Sequence, residues 1–391
     1  MSQNKARKEL IKKIEQHRTS KVICFLTSLR PGVPSAISDD CVRVFFDHLL
    51  LFPKRPIDKL DIFLCSNGGS GTVPWRLVAL FREHAKSFNV IIPYRAYSAA
   101  SLLALGADEI VMHPFAELGP IDPSVSNEFN PTDPTTGQRM AISVEDVRAY
   151  VNFIKSTVGI SHEDELIKAI EILVQKVHPL AIGNVERFIS QSRMIARKIL
   201  RTHMKDASND HVIEEIVENM ASKLFFHGHP INRLEAKTDL KLKVCDDLKP
   251  DFENTIWKLY LDFETEFKNT EAFNPAMELA SIPAPAPTPT VPAASPQPPA
   301  APAPAAPGQP VTPAPAVSPV PFQFPPQFAA LLQQATAPPE IETELLHAMI
   351  ESEKLTSRFT TRRRFTKLPA AAQAGQVTIR EDLLSQGWSH S

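Results

Sequence analysis

Two neighbouring segments of the chain repeat one pattern, in which an apolar run is followed by small residues and then by a helical pattern. The first run is Leu60–Cys65, and the helix predicted after it spans Val73–Lys86. The second run is Asn89–Tyr94, with a helix predicted from Ser98 to about Gly106. Short apolar runs bounded by turn residues are typical of buried strands, so the pattern predicts two strand–turn–helix units of an α/β fold.

The turns of these two units contain the candidate chemistry. Gly68 and Gly69 in the first turn lack side chains, so a ligand carbonyl can approach their backbone N–H groups closely. Ser98 in the second turn lies at a helix N-terminus, where unpaired amides and the helix dipole favour a developing negative charge. This combination indicates a nucleophile beside an oxyanion hole. The competing interpretation makes the glycines ordinary turn residues and Ser98 a helix cap.

The chain after these units is predicted to be helical. Apolar residues such as Leu166, Ile170 and Leu173 recur at helical spacing between residues 143 and 225. The stretch Val185–His203 also carries a row of arginines, which is interpreted either as a solvated helix face or as a surface for acidic partners.

The composition changes beyond Ser281. More than half of the 36 prolines lie between Pro283 and Pro339, interleaved with alanine, and this predicts an extended linker. The segment after the linker regains apolar and charged residues, with a helix predicted at Ile341–Lys354 and short strands from Arg358–Phe365 onward. We therefore expect a chain cut near Ser281 to keep a folded core.

Composition limits the partners and the compartment. The chain has 391 residues and a formal net charge of −2, which gives no nucleic-acid footprint. Its four cysteines lack CxxC spacing, which argues against a zinc ribbon and fits a reducing compartment. No apolar run approaches 18 residues. We expect a cytoplasmic protein with no membrane or nucleic-acid partner, no metal and no organic cofactor.

Three separated motifs are SAASLLALGADEIVM at Ser98–Met112, AELGPIDP at Ala116–Pro123 and KLFFHGHPINRLEA at Lys223–Ala236. Together they resemble the serine dehydrogenase proteinase family, whose members are relatives of the Clp-type and signal-peptide-peptidase-type serine proteases. The resemblance implies a Clp/crotonase-type α/β fold, a superhelix of ββα units with an inserted helical region. A homo-oligomer is expected because Clp-fold protomers bury an outer helical layer against neighbours.

The chain is accordingly predicted to have four parts. They are an N-terminal amphipathic helix (1–20), the Clp/crotonase-fold domain (21–267, with its helical insertion at about 143–225), a Pro/Ala-rich linker (268–340) and a small C-terminal segment (341–391).

The resemblance also implies the roles of residues in the site. Ser98 stands before Asp108 at the distance that separates the nucleophilic serine from the matching aspartate in membrane-associated Clp-like proteases. Gly69 and the amide of Ala99 match the oxyanion donors, with Gly68 beside them.

The chain departs from the Clp pattern at the general base. Where that pattern has a histidine, this sequence has Ile121 and Asp122. For the serine–lysine dyad of the membrane relatives, the nearest match in spacing is Arg139, and Lys155 lies further along. Neither replacement supplies an evident base.

Four histidines remain as candidate bases, since a neutral imidazole can accept a serine proton near pH 7. His227 and His229 resemble in position the region of the third Clp triad member, and they are preferred over His178 and His113.

The sequence therefore predicts a serine hydrolase, most consistent with a peptidase acting on peptide or protein substrates. One alternative is a crotonase-like acyl-CoA hydratase or isomerase, which needs carboxylates facing a thioester. The other is a catalytically silent Clp-fold scaffold, which the missing base keeps open.

Overall fold

The fold is taken from a computed structural model that describes most of the chain. The residues it describes are 3–121, 124–125, 128–133, 139–140, 142–223, 229–246, 248–280, 340–368 and 379–391. By internal contacts the chain divides into two units: the first comprises residues 1–273, 344–362 and 383–391, and the second comprises residues 274–343 and 363–382.

The main sheet is built around four parallel strands. They are β1 (Lys21–Thr27), β2 (Leu60–Cys65), β3 (Phe88–Ile92) and β5 (Ile110–Met112), adjacent in that order. On the other side of β1 lies β10 (Glu340–Glu351), antiparallel to it, with Cys24 opposite Glu351 and Thr27 opposite Ala348. The strands β11 (Thr356–Lys367) and β12 (Ile379–His390) continue the sheet outward.

A second, short sheet leads into the site. It consists of β4 (Arg95–Ala96), β6 (Glu117–Leu118) and β9 (Ile231–Asn232), and a separate strand pair joins β7 (Ser124–Val125) to β8 (Ile142–Ser143). The helices are α1 (Gln3–Arg18), α2 (Cys41–Leu50), α3 (Val73–His84), α4 (Ala99–Ala104), α5 (Val144–Asn152), α6 (Glu163–Val174), α7 (Pro179–Leu200), α8 (Asp210–Glu218), α9 (Arg233–Thr238), α10 (Pro250–Phe267) and α11 (Pro275–Ala280).

Alternate residues of the parallel strands enter two separate cores, because successive side chains point to opposite faces of a sheet. On β1, Ile23 and Phe25 pack into the core formed with α2, α3, α4, α7 and α8, whereas Val22 and Leu26 pack against α1 and α10. Both faces are therefore covered, as the near-continuous apolar sequences of these strands require.

Buried ion pairs fix α1 to the second of these faces. Arg7 is fully buried and pairs with Glu351 of β10 at 2.8 Å and with Asp262 of α10 at 2.7 Å. Burial lowers the pKa of a guanidinium, but the nearby carboxylates raise the pKa of Arg7 by more, so it remains charged. Arg18 pairs at 3.0 Å with Asp61, a fully buried carboxylate on β2. The chain's N-terminal helix thus contacts both the central strands and the C-terminal strand β10.

Many of the predicted elements are confirmed. The strand Leu60–Cys65 has the predicted limits, and the following helix begins at Val73 as expected. Helices occupy most of the described residues between 143 and 225. Three arginines of the predicted row pair with carboxylates of α8: Arg193 and Arg197 of α7, and Arg201 directly after it.

The helix predicted at Ile341–Lys354 is wrong. This segment forms β10, and Leu345, Met349 and Ile350 are buried in the first unit. The predicted linker, 268–340, includes a described helix, α11 at Pro275–Ala280, and residues 281–339 lie outside the described part of the structure. Among the helices described, none has the length and apolar character needed to cross a membrane.

The position of β10 reverses the expectation that the core survives without the C-terminal segment. A chain ending at Ala280 should be insoluble or melt at least about 10 °C lower, because it exposes the backbone edge of β1 and removes Glu351 from buried Arg7. Thermal denaturation of the two proteins measures the difference.

The control keeps the strand and changes only the connection. Replacing residues 284–338 by a Gly/Ser linker of equal length should leave the melting temperature within a few degrees of the wild type. A chain ending at Ala280 that melts like the full chain would show that β10 does not stabilise the core.

Candidate active site

The site lies where the parallel strands β1, β2 and β3 end, because their carboxyl ends meet at one edge of the sheet. The turn after β2 is joined to β4, which follows β3. Ser66 N–H donates to Arg95 O at 3.0 Å, and Tyr97 N–H donates to Ser66 O at 3.0 Å. These bonds bring the Gly68–Gly69 turn beside Ser98.

Ser98 is the residue at which the chain changes from strand to helix. Its φ of 52° and ψ of −115° are a conformation that non-glycine residues rarely adopt. Such a conformation costs about 1–3 kcal/mol and is typical of functional sites. The same sharp, strained strand-to-helix turn exposes the serine in nucleophile elbows. Ser98 occupies the N-cap position of α4, but its side chain makes no capping hydrogen bond.

The two turns touch at Gly68, which has φ of +102°. A Cβ atom at this position would lie 2.6 Å from Tyr97 O and 2.9 Å from Ser98 Cβ. Only glycine at position 68 therefore lets the two turns lie this close together. The amide of Gly68 donates to Ser66 Oγ at 3.1 Å, so its contribution is close packing rather than a free donor.

Gly69 and Ala99 carry the amides that remain for a ligand. In the described part of the chain no group accepts a hydrogen bond from Gly69 N–H or from Ala99 N–H, the latter being the first amide of α4. Gly69 has φ of +152°, and a Cβ atom there would lie 2.3 Å from Ile37 O.

Ser98 opens into a cavity of about 390 Å³. Helix α7 covers it with Phe188, Gln191, Ser192 and Ile195. The described lining residues carry no acidic, basic or histidine side chain. The cavity thus suits an uncharged group next to the serine.

Ser101 is a structural residue. Its buried Oγ lies 2.7 Å from both Ala96 O and Gly119 O and accepts from Gly119 N–H at 3.1 Å. The hydroxyl therefore joins β4 to the residue after β6.

Tyr97 is held firmly beside Ser98. Its hydroxyl donates to Glu117, and its ring fills the space that a side chain at Gly119 would need. Burial and the Glu117 carboxylate raise the pKa of Tyr97 to about 12, so the hydroxyl keeps its proton at neutral pH.

His229 is paired with a carboxylate, since its Nε2 lies 2.8 Å from Glu235 Oε1. In the short sheet, Ala96 is opposite Leu118 and Leu118 is opposite Ile231. Ser98 follows Ala96 by two residues and His229 precedes antiparallel Ile231 by two. Both residues therefore follow the same end of this sheet, on strands β4 and β9 that are separated by β6, or about two strand spacings. His229 does not line the cavity in this structure.

The other candidate bases are engaged elsewhere or not described. His178 Nδ1 caps α7 by accepting from Leu180 N–H at 3.2 Å. His113 stacks on Trp257 on the face covered by α10, and burial lowers its pKa. His227 lies outside the described residues.

Neither of the cationic alternatives lines the cavity at Ser98. Arg139 and Lys155 are both exposed side chains. The described residues also contain no cluster of three or more His, Cys, Asp or Glu side chains that could hold a metal ion.

Two parts of the site had no signal in the sequence. Ile37, whose backbone flanks Gly69, follows an irregular stretch with no periodic pattern. Phe188 and Gln191 lie in a helix whose arginines drew the interpretation toward its charged face. Their position over Ser98 depends on tertiary packing, which spacing along the chain does not reveal.

Residues 1–134 match the model of the family described as ClpP-like SDH-type serine proteinase. Over these residues, about a third of the chain, the match confirms the predicted resemblance to this family and the ClpP-like fold class. Gly68, Gly69, Ser98 and Ala99 all lie within the matched residues.

Two proteins of Methanocaldococcus jannaschii are similar to the chain. It is 26% identical to the uncharacterized protein MJ1495 over 252 residues, which is 61% of this chain and 74% of that protein. It is also 26% identical to the uncharacterized protein MJ0137 over 206 residues, covering 52% of this chain and 60% of that protein.

Similar solved structures include two forms of the 1510-N membrane-bound stomatin-specific protease. A serine-to-alanine mutant has a TM-score of 0.34 at 12% identity and covers 60% of this chain and 85% of its own. A lysine-to-alanine mutant in complex with a substrate peptide has a TM-score of 0.33 at 12% identity, and the match covers 58% of this chain and 77% of that protein's chain.

The contact between the two turns yields a direct test. Gly68→Ala should lower the free energy of unfolding by about 1–3 kcal/mol and slow the reaction of Ser98 with a fluorophosphonate by about 100-fold, because the added methyl displaces the Ser98 turn. Chemical denaturation and labelling kinetics measure the two effects.

Gly71→Ala is the matched control, since no heavy atom lies within 4 Å of its added Cβ and its φ is not positive. It should change stability by no more than about 0.5 kcal/mol. Equal behaviour of the two variants would mean that the turns do not touch as described.

Proposed function

Because residues 1–134 carry the pattern of ClpP-like SDH-type serine proteinases, we propose that this protein is a serine peptidase with Ser98 as its nucleophile. The observation that carries the proposal is the strained turn of Ser98 beside the unpaired amides of Gly69 and Ala99. A strained serine next to two free donors is the arrangement that acyl transfer needs.

In the proposed mechanism, Ser98 Oγ attacks the peptide carbonyl carbon while its proton passes to a base. The carbonyl oxygen becomes negative and accepts hydrogen bonds from Gly69 N–H and Ala99 N–H, with Gly68 allowing the close approach. The amine leaves with the proton, and water then hydrolyses the acyl-enzyme by the same route in reverse.

We assign the base to His229, with Glu235 orienting its imidazole. A carboxylate bonded to one ring nitrogen fixes the tautomer and stabilises the imidazolium, as in serine triads. Because β6 lies between β4 and β9 and His229 does not line the cavity at Ser98, His229 must approach Ser98 when substrate binds. His227, two residues earlier, is the alternative base.

The substrate we propose is a peptide with an uncharged side chain next to the cleaved bond. Leu102, Ile121, Phe188 and Ile195 offer apolar surface, and Gln191 offers one neutral polar group. A hydratase or isomerase acting on an acyl-CoA is less well supported, because such chemistry uses carboxylates and the described lining has none. We also propose a cytoplasmic location, which the four free cysteines favour.

A homo-oligomer is proposed from the surface of α6. This helix buries none of its side chains, and Ile167, Ile170 and Ile172 are each about half exposed or more, at 55%, 49% and 60%. Ile167 and Ile170 are three residues apart and share one face of the helix, and exposed apolar residues grouped in this way are typical of interaction surfaces. We propose that they meet the same helix layer of another copy.

The nucleophile is tested with a fluorophosphonate probe and peptide turnover. Wild-type protein should be labelled at Ser98, and Ser98→Ala should lose labelling and at least about 10³-fold in kcat, because it removes the covalent route. Its stability should stay within about 1 kcal/mol, since the hydroxyl makes no capping bond. Ser70→Ala, which removes an exposed neighbouring hydroxyl, should still be labelled.

Variants of the histidines separate the two bases. His229→Ala should approach the Ser98→Ala defect, and Glu235→Gln should lower kcat less because the imidazole remains. If His227→Ala is inactive and His229→Ala is not, the base assignment moves to His227. Full turnover by Ser98→Ala would end the serine-peptidase proposal.

The assembly is tested by light scattering at micromolar concentration. The wild type should have a mass several times 43.3 kDa, whereas Ile167→Glu/Ile170→Glu should be smaller because the charges oppose burial of the α6 surface. The control is Leu383→Glu/Leu384→Glu, which places the same two charges at exposed apolar positions outside α6. A monomeric wild type contradicts the proposal.

A further inference from the structure

One segment that takes no part in the proposed chemistry shapes the oxyanion turn. This is the Pro34–Ser38 loop, and Ile37 is its contact residue. Ile37 N–H donates to Gly68 O at 2.7 Å, and Ser70 N–H donates to Ile37 O at 2.8 Å. The two bonds lie on either side of Gly69, so the position of Ile37 sets the direction in which Gly69 N–H points.

The loop is held in turn by the C-terminal strand β10. His347 Nδ1 lies 2.7 Å from Pro34 O, and Nε2 lies 2.8 Å from Thr361 Oγ1 of β11. Because a carbonyl only accepts, Nδ1 must carry the proton and donate to Pro34. His347 is 5% exposed and lies on the strand that pairs with β1.

The hydrogen bond from His347 to Pro34 lies beside unfilled space, so it contributes to holding the loop in place. A cavity of about 420 Å³ lies between the loop and the C-terminal strands, lined by Pro34, Ala36, His347, Phe359 and Trp388 among others. Side chains therefore do not fill the interval between loop and strands. When the His347 bond is lost, the loop has room to shift, and a shift of Ile37 moves Gly69.

From these contacts we propose that His347 is a positioning residue for the oxyanion hole, acting through Pro34 and Ile37 on Gly69. The C-terminal segment, which follows the Pro/Ala-rich stretch, then completes the active site as well as the sheet. The inference rests on the proposed function of Ser98, and it concerns the position of an amide rather than the identity of the nucleophile.

The test uses full-length protein and a matched pair of buried histidines. His48 also bonds to the C-terminal strands, with Nδ1 at 3.0 Å from Ser352 Oγ and Nε2 at 2.9 Å from Ser357 Oγ, but it lies on α2. Both His347→Ala and His48→Ala therefore weaken the attachment of the strands. Only His347→Ala removes a hydrogen bond to the loop, and the bond from Ser35 Oγ to Ser28 O at 3.0 Å remains in both variants.

We expect His347→Ala to lower kcat for peptide hydrolysis by about 10- to 100-fold with KM changed less than about 3-fold, because a displaced oxyanion donor acts on the transition state. His347→Asn, whose amide can donate to Pro34 O, should recover most of kcat. His48→Ala should lose stability to a similar degree and keep kcat within about 2-fold.

Several outcomes would overturn the inference. They are wild-type kcat in His347→Ala, a loss of kcat in His48→Ala as large as in His347→Ala, or no recovery in folded His347→Asn. If the wild type neither hydrolyses peptides nor labels at Ser98, the proposed function fails instead. Hydrogen exchange then tests the inference alone: residues 66–72 should exchange faster in His347→Ala than in His48→Ala, and equal exchange contradicts it.

Discussion

The site depends on the contact of two backbone turns at Gly68. Adjacent parallel strands end at the same edge of the sheet, but their turns approach this closely only because a side chain is missing at Gly68 and the backbone there has positive φ. The contact places Ser98 beside Gly69 and Ala99. Everything proposed about the chemistry follows from this contact, because one oxyanion donor, Gly69 N–H, comes from the first turn, and the nucleophile Ser98 and the other donor, Ala99 N–H, come from the second.

The residues around Ser98 must hold its backbone in place, because its conformation costs about 1–3 kcal/mol. The backbone of Ser66 is hydrogen-bonded to β4 and to Tyr97, and the Ser101 hydroxyl is hydrogen-bonded to Gly119, the residue after β6. The Tyr97 ring is confined by Gly119 and by the bond of its hydroxyl to Glu117. Further out, buried Arg7 joins α1, α10 and β10 through charge pairs. These charge pairs join an early and a late segment of the chain on the sheet whose edge carries the site.

The sequence predicted those parts of the molecule whose structure is determined locally. Leu60–Cys65 is a strand because it is short, apolar and bounded by turns, and the Ser98 turn was found because a serine opens an Ala-rich helix. The family motifs added the expected roles of Gly69 and Ala99, which remain proposals.

Where partners distant in sequence decide the structure, the sequence was insufficient. Glu340–Glu351 has apolar residues at helical spacing, yet it is a strand, because β1 offers it an edge and both of its faces are buried toward its end, hiding the period of two. For the same reason His347 drew no attention, and the base could not be chosen among histidines whose neighbours come from other elements.

The most direct test of the account is a crystal structure of the protein after reaction with a peptidyl phosphonate. The account predicts a covalent bond to Ser98 Oγ and a phosphonyl oxygen about 2.7–3.1 Å from both Gly69 N and Ala99 N. An adduct on another residue, or an oxygen directed away from these two amides, would contradict it.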